Sequence, residues 1–217
     1  PTVHLRPDVQ EPLTKFIENR SLRLLHATQI GNLASILSHG LVPRSSARFA
    51  SLDKVITNDD TRTKHGAICF SLGWPNTRTL STWGPIGKFA IIEVDPMILT
   101  KKPWFVFHTN SASKECLESF KESPINHCGP KALVELFEES SRTNTGREII
   151  RSALGLSASM PNDPQAELII DVDIEPAWID RIILPTKGSL ETVREIALNP
   201  EWPELKCEPR AFAPRVD

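Results

Sequence analysis

The chain has 217 residues, of which 40% are hydrophobic and 24% charged, and this composition suits a single globular domain covering residues 1–217. A formal net charge of −2 argues against a protein that coats nucleic acid through bulk electrostatics, and no apolar run is long enough to cross a membrane. The four cysteines lack metal-ligand spacing, and the first residues lack the apolar core of a signal peptide. We therefore expect a reduced, cytoplasmic protein with no metal site and no membrane partner.

The hydrophobic pattern predicts an α+β chain. In the first half, the predicted elements are a helix at 11–19, a strand at Leu22–His26, a helix at Gln29–His39 ended by Gly40, an irregular segment at 43–66, and strands at Ala67–Leu72 and Lys88–Val94 around a Gly- and Pro-rich span, 73–87. In the second half, they are a strand at Trp104–His108, helices at 112–121, 130–141 and 147–154, strands at 165–170 and Ile179–Leu184, and a closing helix at Leu190–Leu198.

An acidic residue stands where the apolar strand at 165–170 begins. Successive side chains of a strand alternate between its two faces, so Gln165 and Glu167 are predicted to point the same way. An amide and a carboxylate placed together can hydrogen-bond a sugar hydroxyl and stabilise positive charge developing on a sugar. The alternative reading is an ordinary solvated strand end, because exposed Glu is common.

A second polar group follows the first predicted strand. A histidine at a strand end, His26, can donate to a ribose hydroxyl, and backbone groups beside it can hold a carboxamide. The alternative is a satisfied, partly buried His26 with Thr28 capping the next helix. The chain contains neither a P-loop nor a GxGxxG sequence, so a dinucleotide would not be held in the Rossmann manner.

Four short segments, in order along most of the chain, resemble the DarT ADP-ribosyltransferases. His26-Ala27-Thr28 with Asn32 is similar to the opening NAD-binding motif of that family. The segments 70–76 (FSLGWPN) and 109–113 (TNSAS) resemble two further family stretches, and Pro164-Gln165-Ala166-Glu167 matches the catalytic Gln-Ala-Glu block. The resemblance implies an ADP-ribosyltransferase-like split β-sheet core with surrounding helices and a long, mostly helical substrate-recognition insertion at 111–163.

The family comprises toxins that attach ADP-ribose from NAD+ to a nucleobase, usually in single-stranded DNA, and a macrodomain antitoxin of the DarG type reverses the modification. The resemblance implies NAD+ as co-substrate and no metal. It assigns catalysis to Glu167 and Arg62, with Arg44 and Arg48 competing for phosphate contacts. The residues implied to bind NAD+ are His26, Thr28, Asn32, Gln165, Arg48 and Phe70, and those implied to bind the acceptor are Trp74, Asn76 and Asn110.

Some features depart from the family or leave the acceptor open. The chain has no Tyr, so a tyrosine that stacks on nicotinamide elsewhere must be replaced or missing. Segment 70–76 differs from the Asn-Pro-Arg-x-Pro-Met pattern of the thymidine-modifying branch, which favours guanosine as the target. Residues 44–78 carry a local balance of +3, which is compatible with a phosphate-bearing ligand. An RNA-directed or protein-directed transferase and a non-catalytic nucleotide-binding module remain the alternatives.

Overall fold

The computed structural model of the chain describes residues 7–52, 66–142, 148–196 and 203–214. Its helices are α1 (Pro7–Arg20), α2 (Leu33–His39), α3 (Thr77–Trp83), α4 (Lys114–Glu122), α5 (Gly129–Glu135), α6 (Arg151–Leu154) and α7 (Lys187–Ile196). Its strands are β1 (Leu24–Gln29), β2 (Ile68–Leu72), β3 (Phe89–Val94), β4 (Phe105–Phe107), β5 (Ser140–Arg142), β6 (Glu148–Ile150), β7 (Glu167–Ile170), β8 (Ile179–Leu184) and β9 (Glu204–Cys207).

A seven-stranded sheet in the order β4-β7-β2-β1-β3-β8-β9 forms the centre of the fold. Its pairs are antiparallel except for β8–β9, which is parallel, while β5 and β6 form a separate hairpin. Alternation of buried residues along β2 sends Ile68, Phe70 and Leu72 into the main core. Strand β3 is buried throughout, and its sequence is apolar except for Glu93, to which Arg23 donates two hydrogen bonds of 2.8 Å.

The sheet is weakly joined between β1 and β2. β1 pairs with β3 at six positions, but with β2 at only two, Leu24–Leu72 and Leu25–Ser71. The two strands therefore part beyond Leu25, and a gap opens toward the end of β1. The α+β class and the split sheet expected from the sequence are confirmed.

The predicted strands coincide closely with observed ones, whereas several helix predictions need correction. Residues 148–150 of the predicted helix 147–154 form β6, because they pair with β5, and the predicted helix 130–141 ends at Glu135 before that hairpin. The Gly- and Pro-rich span 73–87, for which the sequence predicted no helix or strand, contains α3. The irregular span 43–66 holds a 3-10 turn, Ala47–Ser51, and its residues 53–65 lie outside the described chain.

The strand predicted at 165–170 begins two residues later in the structure, at Glu167. Gln165 lies in a turn, where its backbone amide donates to the Asp163 side chain at 2.7 Å, and β7 starts at Glu167. The alternation of a strand therefore does not relate the Gln165 side chain to that of Glu167. This correction removes the geometric reason for pairing the two side chains, although both stay near the start of β7.

Candidate active site

The gap between β1 and β2 is bridged by a histidine side chain instead of backbone pairing. His26 donates from Nδ1 to the Cys69 carbonyl at 2.9 Å, and its ring meets the Phe70 ring edge-on at 5.9 Å. Burial lowers the pKa of His26; the bond to Cys69 opposes this shift and the charge of Arg44 adds to it. Because Nδ1 holds the proton, the neutral ring offers Nε2 as an acceptor. His26 is thus suited to accept from a ribose hydroxyl, not to donate to it as the sequence suggested.

Backbone groups of β1 are directed into the same gap. Gly73 donates its amide to the Arg23 carbonyl at 3.0 Å, so every second residue along β1 directs its backbone groups toward β2. The next such residues are Leu25, which pairs with Ser71, and Ala27, which lies beyond the last β1–β2 pair. The Ala27 amide and carbonyl therefore face the gap beside the His26 ring, in the arrangement that holding a carboxamide requires.

The polar wall next to His26 continues through Thr28 and Asn32. Asn32 donates from Nδ2 to the Thr28 hydroxyl oxygen at 3.1 Å, and Thr28 is only 9% exposed. The Thr28 side chain therefore joins β1 to the turn before α2. It does not cap the helix, so the alternative interpretation of Thr28 as a helix cap is wrong. The structure thus joins Asn32 to Thr28, which follows His26 by two residues on β1, and the resemblance had grouped these three residues.

Glu167 opens β7 on the far side of β2 from His26. It lies opposite Ser71 of β2 and Phe107 of β4. Its Oε2 accepts from the backbone amide of Ser111 at 2.8 Å. Burial raises the pKa of Glu167, and the hydrogen bonds from Ser111 oppose that rise. Glu167 is therefore not a solvated strand end, since a partly buried carboxylate is held by a specific backbone donor.

Two residues outside the four family segments join the site electrostatically. Burial and then the charge of Glu167 raise the pKa of the Cys69 thiol to about 12, and Arg44 opposes the shift. Burial lowers the pKa of Arg44, with the charge of Cys69 opposing. The charge of Arg44 lowers the pKa of both His26 and Cys69, so Arg44 belongs to the electrostatic environment of the site. The resemblance had named Arg44 as one of two candidates for phosphate contacts.

The remaining predicted residues are spread around this site. Phe70 is 0% exposed in the core, so its ring acts on the site through His26 and offers no face to a ligand. Arg48 pairs on the surface with Asp173 at 2.5 Å, and Arg62 lies outside the described chain.

Trp74, Asn76 and Asn110 each make a structural hydrogen bond near the site. Trp74 donates from Nε1 to the Ala213 carbonyl at 3.2 Å. The backbone amide of Asn76 donates to the Ser71 hydroxyl oxygen at 3.1 Å. Asn110 accepts on Oδ1 from the Ala112 amide at 2.8 Å. Asn76 thus bonds to Ser71, which lies opposite Glu167, and Asn110 directly precedes Ser111, whose amide donates to Glu167.

The loop that leads into β7 is held by buried polar groups. Arg151, 6% exposed, donates to the carbonyls of Met160 and Ser157 at 2.7 and 2.8 Å and to Asn162 Oδ1 at 2.9 Å. Asn162 in turn donates to the Glu138 carbonyl and the Ser141 hydroxyl, each at 2.9 Å. The site is therefore positioned by the insertion as well as by the sheet.

The described part of the chain contains neither a cluster of metal ligands nor a membrane-spanning helix. No group of three or more His, Cys, Asp or Glu residues there could hold a metal ion. Among the same residues, no helix combines the length and apolar character needed to span a bilayer.

Comparison with solved structures identifies the fold as that of the DarT ADP-ribosyltransferases. DarTG of Thermosipho africanus in complex with ADP-ribose is similar with a TM-score of 0.59 and 17% identity over 88% of this chain, which spans 50% of that protein. DarT of Thermus sp. 2.9 is similar over 88% of this chain and 96–97% of that one. Its complex with ADP-ribosylated single-stranded DNA gives a TM-score of 0.55 and 13% identity, and its NAD+ complex gives 0.52 and 12%.

The likeness lies in structure and not in overall sequence. No protein-family model matches the chain, and no curated protein matches it by sequence. The fold expected from four short segments is nevertheless confirmed by these structures.

Proposed function

We propose that this protein is an NAD+-dependent mono-ADP-ribosyltransferase that modifies a nucleobase in single-stranded DNA and releases nicotinamide. The observation that carries the proposal is the hydrogen-bonded carboxylate of Glu167, which begins β7 near the sheet gap where neutral His26 and the Ala27 backbone meet. The proposal gains support from a fold shared with a DarT bound to NAD+ and to ADP-ribosylated DNA.

The reaction requires two bond changes at the ribose C1′ atom of NAD+. The bond from C1′ to nicotinamide breaks, its electron pair stays on the nicotinamide nitrogen, and C1′ gains oxocarbenium character. A nucleophilic atom of the base then bonds to C1′, and a proton leaves the base. Ionised Glu167 stabilises the developing positive charge and accepts from the ribose 2′-hydroxyl, which fixes the sugar. We retain for Gln165, in the turn before β7, the NAD+-binding role that the resemblance implied.

The cofactor half of the site follows from the geometry around the gap. The Ala27 backbone holds the carboxamide of nicotinamide, and His26 Nε2 accepts from a ribose hydroxyl. Asn32 and Thr28 continue this wall. Trp74, Asn76 and Asn110 are proposed to form the acceptor side, where stacking on an aromatic ring tolerates any base.

The central test is transfer to oligonucleotides of defined base content. The protein is incubated with NAD+ and single-stranded DNA, RNA or a protein mixture, and the added mass is located by fragmentation. We expect ADP-ribose on single-stranded DNA, with guanosine preferred over thymidine. Label on RNA or protein alone would identify the alternative transferases, and intact NAD+ with every acceptor would indicate a non-catalytic binding module. Removal of the label by a DarG-type macrodomain tests the expected antitoxin partner.

Replacing the carboxylate isolates its role. Glu167→Gln keeps an acceptor for the Ser111 amide but removes the negative charge, so transfer should fall on the order of 10³-fold with the fold intact. Initial rates and circular dichroism measure the two effects. Glu138→Gln, which removes an exposed carboxylate on the insertion, is the matched control and should retain the full rate. Retained activity in Glu167→Gln would overturn the catalytic assignment.

Three arginines compete for the phosphate and catalytic roles. The charge of Arg44 acts on His26 and Cys69 at the gap, so we assign it to the diphosphate of NAD+, and Arg44→Ala should raise KM for NAD+ about tenfold. Arg62→Ala should lower kcat more than it weakens NAD+ binding. Arg48→Ala should do neither, because that side chain pairs with Asp173. Steady-state kinetics of the three variants separate these assignments, and a kcat loss confined to Arg48→Ala would contradict them.

A further inference from the structure

Ser111 contacts the carboxylate at the centre of the site and was not among the residues that the sequence pointed to. Its backbone amide donates to Glu167 Oε2 at 2.8 Å. Its hydroxyl lowers the pKa of Glu167 and of the Cys69 thiol, against the effect of burial. Ser111 is 3% exposed, so water does not compete strongly for these contacts. One buried residue thus opposes the effect of burial on Glu167 through both its amide and its hydroxyl.

The chain around Ser111 forms a turn that fixes the direction of its amide. Asn110 Oδ1 accepts from the Ala112 amide at 2.8 Å, and the Ser113 amide donates to the Asn110 carbonyl at 2.9 Å. The Ser113 hydroxyl then caps α4 by accepting from the Cys116 amide at 3.2 Å. Because the residues on both sides are bonded locally, the Ser111 amide is oriented before any ligand binds.

We propose that Ser111 is a positioning residue for the transfer reaction, holding Glu167 ionised and aimed at the ribose of NAD+. This inference rests on the proposed function. A carboxylate that accepts two hydrogen bonds is favoured in its charged form, and its rotation is restricted.

The other ionisable groups near Glu167 leave this assignment unchanged. Cys69 of β2 and Cys116 of α4 both feel the charge of Glu167, and burial raises the pKa of each thiol, so both are neutral where the carboxylate ionises. His108, which follows β4, lies 3.7 Å from Glu115. The positive charge of Arg44 lowers the pKa of Cys69 and is not among the causes that shift the pKa of Glu167. Ser111 supplies the hydrogen bonds that oppose the effect of burial on Glu167.

The test compares two serines of the same turn. Ser111→Ala removes the hydroxyl, and we expect kcat to fall about tenfold, with KM for NAD+ nearly unchanged. The acidic limb of the pH–rate profile should move upward by roughly one pH unit, because the charged carboxylate has lost a donor. Ser111→Thr keeps a hydroxyl and should restore both quantities. Ser113→Ala removes the helix cap instead, so it should lower the melting temperature without moving the limb.

A second measurement separates this inference from the proposed function. The pKa of Glu167 is followed by NMR of 13C-carboxyl-labelled protein in the absence of NAD+, in the wild type, Ser111→Ala and Ser113→Ala. An upward shift confined to Ser111→Ala supports the positioning role even if no acceptor is ever labelled. If Ser111→Ala changes neither the pKa of Glu167 nor the acidic limb of the pH–rate profile, the positioning role of Ser111 is overturned, even if transfer to DNA is established.

Discussion

At the residue scale, the site depends on a carboxylate that the fold makes costly to ionise. Burial raises the pKa of Glu167, and Ser111 only partly offsets that effect. Groups with perturbed pKa values concentrate at functional sites, because the same burial that destabilises a charge also strengthens its action on a substrate. The neutral imidazole of His26 and the high-pKa thiol of Cys69 belong to the same environment.

The raised pKa of Glu167 predicts a pH-dependent effect on stability. A carboxyl whose pKa is higher in the folded than in the unfolded chain stabilises the fold at low pH, and this contribution is lost as the pH rises through the folded pKa. Glu167→Gln should therefore be more stable than the wild type at pH 7, and the difference should shrink as the pH falls to 4. Urea unfolding at the two pH values measures it, with Glu138→Gln as the control. A variant less stable than the wild type at pH 7 would contradict the expected sign.

At the element scale, the site is assembled where loops approach one another closely. Gly73, directly after β2, has φ of +68°, and a Cβ atom on it would lie 2.1 Å from the carbonyl oxygen of Ser159. That carbonyl belongs to the loop which Arg151 holds and which leads into β7. The turn after β2 and the loop before Glu167 can therefore pack this closely only because glycine has no side chain.

Substitution of this glycine should disturb stability and activity together. Gly73→Ala requires a strained backbone and displaces the Ser159 carbonyl, so the free energy of unfolding should fall by about 2 kcal/mol or more. The rate of transfer should fall as well, because the displaced loop leads directly into Glu167 at the start of β7. Gly87→Ala is the matched control, since a Cβ there meets nothing within 4 Å. Urea unfolding and initial rates measure both effects, and a neutral Gly73→Ala would show that the two loops are not coupled.

At the scale of the whole molecule, charge is distributed unevenly along the chain. Residues 44–78 carry a balance of +3, whereas the insertion at 111–163 contains six basic and eight acidic residues. The resemblance implied that this insertion recognises the substrate. Under the proposed function, we expect stacking and hydrogen bonds to hold a DNA strand at the insertion and the segment at 44–78 to neutralise its phosphates.

This distribution predicts weakly salt-dependent binding of single-stranded DNA. About three neutralised phosphates correspond to a slope near −2 in a plot of log K against log salt concentration. Fluorescence anisotropy of a labelled oligonucleotide with Glu167→Gln, which cannot complete the transfer, measures this slope between 50 and 300 mM salt. A slope near −5 would mean that many more basic residues contact the strand than the local balance supplies.

Local patterns identified most of the strands because side-chain alternation and apolar runs are properties of short segments. The same patterns misplaced the helix at 147–154, since pairing of β6 with β5 outweighs local helical preference. They also placed Gln165 inside a strand, although the turn bond to Asp163 delays the start of β7. Pairing with a neighbouring strand decided the first case, and a local turn bond decided the second.

The sequence by itself determined the α+β class, the order of the main strands and the identity of His26 and Glu167 as the residues to examine. Short segments suffice for this, because chemical type and spacing are written locally. Only the tertiary structure decided that His26 bridges the gap between β1 and β2, that Arg44 and Cys69 join the site, and that Ser111 holds Glu167. The His26–Cys69 and Ser111–Glu167 contacts join residues 43 and 56 positions apart, and such separations carry no local signal.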